Sequence, residues 1–272
     1  MKKLIFFTDL DGTLLDHQTY HWSAAQPALE RLKSLDFPLI FNTSKTFAEL
    51  RPLAYELNNI HPMICENGNV VAVPHHYFQQ DQSHYLDYQT TLFGTDYQSI
   101  TTTLQKLRID YGFQFCGFND LGVDGVMEKT GLSRQQAELA CQRLCSEPLL
   151  WLGDEASLSA MRLELQKHRL SLTKGGRFYH VMSPMNKGRT MGWLLAKYQQ
   201  LQPQTRWITV ALGDSYNDLQ MLEAAEYPVL IRNPHATSPD VSHIANLTSP
   251  LPPGPAGWNE AVNKIIDKHI ED

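Results

Sequence analysis

Short apolar runs alternate with amphipathic helical segments over the first part of the chain. The run at 4–7 is long enough for one buried strand, and similar runs follow at 38–41 and 63–65. Between them, apolar residues recur at helical spacing over 29–35 and 47–57. Strands separated by helices are typical of a doubly wound parallel sheet, so this pattern predicts an α/β fold.

The same alternation returns in the last third of the chain. A helix is predicted over 187–200, followed by strands at 207–212 and 229–231. The final helix has an apolar stripe between residues 258 and 270. We therefore predict one Rossmann-like core domain, assembled from residues 1–83 and 184–272.

The middle of the chain has a different pattern. From 84 to 183, two-residue alternation typical of strands is mixed with amphipathic helices in no simple βαβ order. A strand is predicted near 114–118, and a glycine pair at 175–176 predicts a hairpin turn. These features predict an inserted α+β domain that covers the core as a cap.

Composition and charge exclude several classes of protein. The chain has 272 residues, 42% of them hydrophobic and 19% charged, which is enough for two globular domains. The net charge of -6 and the absence of a Lys/Arg run argue against a nucleic-acid partner. The apolar start is interrupted by Asp9 and Asp11 too early for a signal peptide, and no later run would span a bilayer. We expect a cytoplasmic protein with no membrane partner.

The four cysteines form no CxxC pair. Reduced thiols are therefore favoured over disulfides or a zinc site.

The first strand ends in two acidic residues and a glycine. Asp9 and Asp11 are two positions apart, so in an extended chain their side chains project the same way. They can flank one reacting group or one hard cation, and Gly12 lets the chain turn sharply away. A single Asp after a strand is common, but the sequence Asp-Leu-Asp-Gly-Thr-Leu at this point indicates a functional site.

Three further polar segments lie at predicted strand ends or helix starts. Thr43 follows the second strand, and taken alone it is more simply a helix N-cap. Lys187 opens a predicted helix, where its cation would balance a nearby carboxylate. Asp214 ends the strand at 207–212, and Asp218 lies one helical turn later, so both can face the same cation.

Together these four motifs resemble those of the haloacid dehalogenase superfamily of phosphotransferases, whose first motif reads DxDx(T/V). The resemblance implies that Asp9 is the nucleophile for the phosphoryl group and that Asp11 is the general acid for the leaving oxygen. It also implies that Thr43 donates a hydrogen bond to a phosphoryl oxygen and that Lys187 stabilises the transferring charge. A carboxylate nucleophile would divide the hydrolysis into two easier steps.

The same resemblance implies an Mg2+ cofactor. Asp9, Asp11 and Asp214 would hold the ion, with Asp11 contributing its backbone carbonyl. Asp218 would lie in the outer coordination sphere. Few protein oxygens and several waters are what Mg2+ prefers.

The place of the insertion, after the third core strand, resembles the C2-capped branch of the superfamily, which contains sugar-phosphate phosphatases. Narrower similarity at 42–46, 175–180 and 254–259 implies a small-molecule substrate, a phosphorylated sugar or glycerate and in particular a mannosyl-phosphoglycerate. A broader sugar-phosphate phosphatase is the main alternative, and a phosphomutase would carry the same four motifs.

Substrate contacts are expected from both domains. Ser44 and Lys45 follow Thr43, and Lys45 faces either the substrate or solvent. In the cap, the planar fork of Arg177 suits a glycerate carboxylate, and His180 is a candidate for a sugar hydroxyl. Glu147 is a further candidate for sugar hydroxyls, or else the ion-pair partner of a neighbouring arginine.

Overall fold

The structure is a computed structural model that describes residues 1–79, 87–175, 177–235 and 238–271. The predicted domain boundary between 83 and 84 lies outside the described residues, as does the second glycine of the predicted hairpin. In the part of the chain that is described, no helix is long and apolar enough to cross a membrane. All four cysteines carry free thiols.

A seven-stranded sheet forms the core domain. From one edge to the other its strands are β11 (Tyr227–Leu230), β10 (Arg206–Gly213), β1 (Lys2–Thr8), β2 (Leu39–Asn42), β3 (Met63–Cys65), β4 (Val70–Pro74) and β5 (Tyr88–Leu92). The strands from β11 to β3 are parallel, whereas β4 and β5 are antiparallel. The α/β prediction is confirmed, with two antiparallel strands added at one edge.

The position of β5 differs from the prediction. Residues 88–92 fall within the range assigned to the cap, but they pair with β4 in the core sheet. Their sequence, Tyr-Gln-Thr-Thr-Leu, gives an edge-strand pattern that cannot be distinguished from that of a cap strand.

Helices cover both faces of the core sheet, and β1 contributes alternate residues to each face. The helices are α1 (Gln26–Ser34), α2 (Phe47–Glu56), α7 (Lys187–Leu201), α8 (Leu219–Glu223) and α9 (Gly254–Glu271). Leu4 and Phe6 pack with α1, α2 and α9, whereas Ile5 and Phe7 pack with α7 and α8. Burial on both faces explains why this strand is a continuous apolar run.

The cap is built on a four-stranded antiparallel sheet. Its strands, in spatial order, are β6 (Phe115–Gly117), β7 (Ser146–Trp151), β9 (Tyr179–Met182) and β8 (Ser171–Lys174). One face packs against α3 (Tyr97–Tyr111) and α6 (Glu155–Lys167). A smaller apolar cluster joins α4 (Phe118–Thr130) to α5 (Arg134–Ala140).

Helix α4 has no counterpart in the predicted elements. It bends at Gly122, whose φ of 59° and ψ of -175° are not helical, and this bend interrupts the helical spacing of its apolar residues.

Candidate active site

Three parallel strands bring the predicted core residues to one edge of the sheet. In the register of the sheet, Thr8 lies beside Phe41 of β2 and Leu212 of β10. The backbone N–H of Asp9 donates to the carbonyl of Leu212 at 2.8 Å, so pairing continues past the strand end. Asp9, Thr43 and Asp214 therefore leave neighbouring strands at the same level, where open α/β sheets bind ligands.

Lys187 lies between two carboxylates at this edge. Its Nζ is 2.6 Å from Oδ1 of Asp9 and 2.6 Å from Oδ1 of Asp218, and its side chain is fully buried. The Asn186 side chain caps the first turn of α7 and so fixes where Lys187 begins the helix. Burial lowers the pKa of Lys187, but the two carboxylates outweigh it and hold the pKa above its ordinary value.

Asp9, Asp214 and Asp218 form a buried acidic cluster. Each offers a carboxylate oxygen, and these oxygens all lie within 4.8 Å of one another. Burial raises the pKa of Asp9, with Lys187 opposing that rise. Burial, followed by the charge of Asp218, raises the pKa of Asp214 to about 6. Hard oxygen donors at this spacing fit a divalent cation such as Mg2+.

Within this cluster, Asp214 and Asp218 differ in their hydrogen bonds. Oδ2 of Asp218 accepts from the backbone N–H groups of Asp214 and Ser215, both at 3.1 Å, while its Oδ1 contacts Lys187. Asp218 thus stabilises the loop at 214–215 and fixes the position of the Lys187 ammonium group. Oδ2 of Asp214 accepts from Asn233 Nδ2 at 2.6 Å, and its Oδ1 accepts from Thr13.

Asn233 is not among the residues that the sequence predicts for the site. It follows β11 and Ile231 at the same sheet edge, and that position is the signal that would have found it.

Asp11 points toward a lysine rather than toward the acidic cluster. Its Oδ2 is 3.0 Å from Lys45 Nζ, which is also 3.8 Å from Oε1 of Glu49. Oδ1 of Asp11 is buried and has no hydrogen-bond partner among the described residues. Burial lowers the pKa of Lys45, but pairing with Asp11 and Glu49 outweighs burial and raises it. Lys45 is thus paired with two carboxylates rather than directed into solvent, and its contact with a substrate stays a prediction.

Thr43 is buried, and it is not the N-cap of α2. That role belongs to Thr46, whose hydroxyl accepts from the Glu49 backbone N–H at 3.0 Å while the Glu49 side chain accepts from the Thr46 N–H. The hydroxyl of Thr43 accepts from the N–H of Lys45 at 3.3 Å. The carbonyl of Ser44 accepts from Arg143 of the cap at 3.0 Å.

The two predicted cap residues lie on or beside the cap sheet. Arg177 is exposed in the turn before β9, and its Nη1 donates to the carbonyl of Lys129 at 2.6 Å. His180 lies on β9, and its Nδ1 is buried without a hydrogen-bond partner among the described residues. Burial, with Arg143 adding, lowers the pKa of His180 to about 3, so its ring is neutral.

Glu147 is turned into the cap interior. Only 2% of it is exposed, and it accepts from the Tyr97 hydroxyl and the Asn119 backbone N–H, both at 2.8 Å.

A cleft lies where the cap sheet faces Lys187. Its volume is about 290 Å³, and its lining includes Thr173, Lys174 and Met182 of the cap with Lys187 and Asn217 of the core. A larger groove of about 1310 Å³, beside β11 and α9, contains none of the predicted site residues. The smaller cleft is therefore the better location for a substrate, because it adjoins the acidic cluster.

Comparison with known sequences agrees with this geometry. Residues 6–136 and 149–249 match a family model described as haloacid dehalogenase-like hydrolase. The chain is 39% identical to a Methanococcoides burtonii protein named glucosyl-3-phosphoglycerate/mannosyl-3-phosphoglycerate phosphatase, over 98% of each chain. A Persephonella marina protein of the same name is 34% identical, over 97% of this chain and 98% of its own.

Solved structures share the fold. A haloacid dehalogenase-like hydrolase from Bacteroides thetaiotaomicron superposes with a TM-score of 0.68 at 17% identity, covering 97% of this chain and 100% of that one. A sucrose-phosphatase from Synechocystis superposes with a TM-score of 0.58 at 16% identity, covering 98% and 99%. With the motifs, the family model and the full-length relatives in agreement, the chain belongs to the haloacid dehalogenase-like hydrolases.

Proposed function

We propose that the protein is an Mg2+-dependent phosphatase that removes phosphate from a glycosylated 3-phosphoglycerate, with mannosyl-3-phosphoglycerate as its substrate and mannosylglycerate as the product. One observation carries the chemistry: a buried ammonium group 2.6 Å from the carboxylate at the end of β1. The names of the two full-length relatives support the substrate.

Asp9 supplies the nucleophile in this proposal. Its carboxylate attacks phosphorus, the ester oxygen leaves, and water then cleaves the resulting aspartyl-phosphate to return the free carboxylate. Lys187, fixed at the start of α7, stabilises negative charge on the transferring group without having to reorganise. Thr43, which follows β2 at the same edge of the sheet, is the proposed hydrogen-bond donor for a phosphoryl oxygen.

Asp11 is the proposed acid for the leaving oxygen. Its buried Oδ1 is the atom available to carry the proton, because Oδ2 is paired with Lys45. In the second step the same atom takes a proton from the attacking water. Lys45 keeps the side chain of Asp11 separate from the acidic cluster.

Asp9, Asp214 and the backbone carbonyl of Asp11 are the proposed metal ligands. Asp218 is the outer partner, because its Oδ1 contacts the ammonium of Lys187 and its Oδ2 accepts from two backbone N–H groups. Oδ1 of Asp214, in contrast, accepts only a 3.3 Å hydrogen bond from Thr13. A bound Mg2+ would offset repulsion between these carboxylates and a phosphate dianion. Asn233 and Thr13 orient Asp214 for this task.

The cap supplies the proposed contacts to the leaving group. Arg177 and His180 are the proposed contacts for the glycerate carboxylate and a sugar hydroxyl, with Ser44 and Lys45 contributing from the core. A broader sugar-phosphate phosphatase is the second candidate, favoured by the similarity in fold to a sucrose-phosphatase. Phosphate release from mannosyl- and glucosyl-3-phosphoglycerate and from hexose phosphates, measured side by side, separates the two.

The first test replaces the nucleophile. Asp9→Asn keeps the shape of the side chain but removes the attacking carboxylate, so kcat should fall by roughly three or more orders of magnitude. The control is Asp36→Asn, which changes a side chain that is 86% exposed and is expected to leave turnover at the wild-type value. Near-normal turnover by purified Asp9→Asn protein would reject the mechanism.

The second test removes the metal. Protein treated with a chelator should lose activity and recover it when Mg2+ is added, because the uncompensated carboxylates repel the phosphate. Titration calorimetry with Mg2+ gives a readout that does not depend on turnover, and Asp214→Asn should weaken binding. Full activity in excess chelator, with metal content measured as negligible, would contradict the proposed cofactor.

A further inference from the structure

A turn between β3 and β4 joins the cap to the catalytic segments of the core. Its residues, Glu66, Asn67 and Gly68, have φ values of 49°, 55° and 94°. Residues other than glycine rarely adopt positive φ, and three in succession need strong support from their surroundings. The contacts of this turn provide that support from two directions.

On the cap side, the support comes through the Glu66 carboxylate. Glu66 is fully buried, and it accepts hydrogen bonds from the backbone N–H groups of Leu144 and Cys145 at 2.8 and 2.9 Å. The hydroxyl of Ser146 donates to the same carboxylate at 2.6 Å. These donors lie where the chain leaves α5 and enters β7, so one core side chain holds the base of the cap.

On the core side, the turn contacts the loop that carries Thr43. The N–H of Asn67 donates to the carbonyl of Thr43, and the N–H of Glu66 donates to the carbonyl of Lys45, both at 2.9 Å. The side chain of Asn67 also accepts from Asn217 Nδ2 at 3.1 Å, which connects it to the Asp214–Asp218 segment.

Gly68, the third residue of the turn, packs closely against the start of α7. The hydroxyl of Thr190 donates to the carbonyl of Gly68 at 2.6 Å. A Cβ added to Gly68 would lie 2.5 Å from the carbonyl oxygen of Asn186, the residue that caps α7. The turn and the start of α7 therefore cannot move independently.

We propose that Glu66 is a positioning residue for the reaction. Its carboxylate couples the position of the cap to the conformation of the turn at 66–68. That turn then positions Thr43 and Lys187 next to the phosphoryl group. This inference rests on the proposed function, because it assumes that those two groups act on phosphate. The position of the cap on the core then controls the rate of the chemical step as well as the contacts to the leaving group.

The decisive test changes the cap and measures chemistry in the core. Ser146→Ala changes a cap residue and removes one donor to Glu66, together with a 3.3 Å contact to Arg143. Glu66→Gln weakens the same contact from the core side and leaves both partners of the Ser146–Arg143 contact in place. The probe is para-nitrophenyl phosphate, a small ester without the sugar and glycerate groups. We expect both variants to lose kcat by roughly tenfold, with little change in KM, because catalytic groups misplaced from a distance cost turnover.

The control is Ser183→Ala. Ser183 bonds Thr95 at the linkers between core and cap, with distances of 2.9 Å to its N–H and 3.0 Å to its hydroxyl. Loss of these bonds loosens the linker without reaching the turn at 66–68, so kcat for the small ester should remain at the wild-type value.

Amide hydrogen exchange gives a second readout that needs no turnover. In Ser146→Ala, the amides of Glu66 and Asn67 should exchange faster than in wild type. These amides donate to carbonyls of the Thr43 loop, and a displaced turn would weaken those hydrogen bonds. Unchanged kcat with faster exchange only at Leu144 and Cys145 would show that Glu66 merely anchors the cap, and would overturn the inference. If the wild-type protein hydrolyses no phosphate ester, the proposed function fails, and the exchange of Glu66 and Asn67 alone decides the coupling.

Discussion

At the scale of single residues, one lysine makes the buried acidic cluster possible. Lys187 contacts Asp9 and Asp218, and its side chain is fully buried. Removing one partner of a buried ion pair leaves a charge without compensation and typically costs about 3–5 kcal/mol. Lys187 therefore stabilises the fold in addition to its proposed role in the reaction, so a loss of activity in a Lys187 variant has to be compared with the thermal stability of that variant.

Glu147 makes the stability of the folded protein depend on pH. Burial raises its pKa to about 7 from an ordinary 4.5, despite the hydrogen bonds from Asn119 and Tyr97. The folded state thus holds this proton more tightly than the unfolded chain. The resulting stability is fully present below pH 4.5 and is lost as the pH rises through about 7.

We predict that Glu147→Gln flattens this dependence. Relative to the variant, the wild type should lose on the order of 1–3 kcal/mol of stability between about pH 5 and pH 8, measured by urea unfolding at each pH. The exposed cap residue Glu138, changed to Gln, serves as the control and should follow the wild-type curve. Parallel curves for the wild type and Glu147→Gln would show that Glu147 titrates normally.

The sequence locates the core residues better than the contacts between distant loops. Asp9, Thr43 and Asp214 are predictable because each follows a buried strand, and parallel strands end at one edge. The partner of Glu66 lies near residue 144, and no local pattern encodes such a separation. The preference of Asp11 for Lys45 likewise depends on side-chain directions that spacing does not determine.

At the scale of elements, the loop after β1 depends on a close approach at Gly12. Its φ is +81°, and an added Cβ would lie 2.6 Å from Asn233 Nδ2 and 2.8 Å from Asp214 Oδ2. A side chain here would separate the two groups that share the 2.6 Å hydrogen bond. Gly12 thus allows the Asp9 loop to pack directly on the segment that orients Asp214.

We predict that Gly12→Ala weakens Mg2+ binding. Disturbing a group that orients a metal ligand typically costs about 10–100-fold in metal affinity or activity. The matched control is Gly131→Ala, which has a φ of +80° but no atom within 4 Å of the added Cβ. Both variants carry the backbone strain, so a difference in Mg2+ titration isolates the close approach. Equal Mg2+ affinities in the two variants would exclude it.

The elements that the sequence does not predict have hydrophobic patterns that are either interrupted or ambiguous between core and cap. The antiparallel β4 and β5 extend the core sheet, but β5 has mostly polar residues at an edge, as a cap strand would. Helix α4 is divided at Gly122. By contrast, β1 and β10 are buried on both faces, and their runs are apolar throughout in β1 (residues 4–7) and apolar except for Thr209 in β10 (residues 207–212), so their prediction needs no tertiary information.

At the scale of the whole molecule, the proposed nucleophile and the proposed metal ligands lie in the core, and the cap faces the core across a cleft. The cleft beside Lys187 is lined by both domains. Selectivity for a leaving group therefore has to come largely from the cap, whereas the chemistry at phosphorus is common to any ester that reaches Asp9. Substitution of a cap residue that recognises the leaving group should lower kcat/KM only for substrates that carry that group. Substitution of a residue that only supports the cap should lower kcat/KM equally for a small ester.

Arg177 allows this distinction to be tested. Its one hydrogen bond in the described structure is to the carbonyl of Lys129, which holds the turn before β9 against the end of α4. If its fork also binds the glycerate carboxylate, Arg177→Lys keeps the charge but loses the paired geometry. We predict that kcat/KM for mannosyl-3-phosphoglycerate then falls by roughly tenfold or more, while kcat/KM for para-nitrophenyl phosphate changes little. Arg134→Lys is the control, because Arg134 is an exposed cap arginine paired with Asp124. An equal proportional loss on both substrates would mean that Arg177 acts only through its hydrogen bond to Lys129, and recognition of the carboxylate would have to be assigned to a different residue.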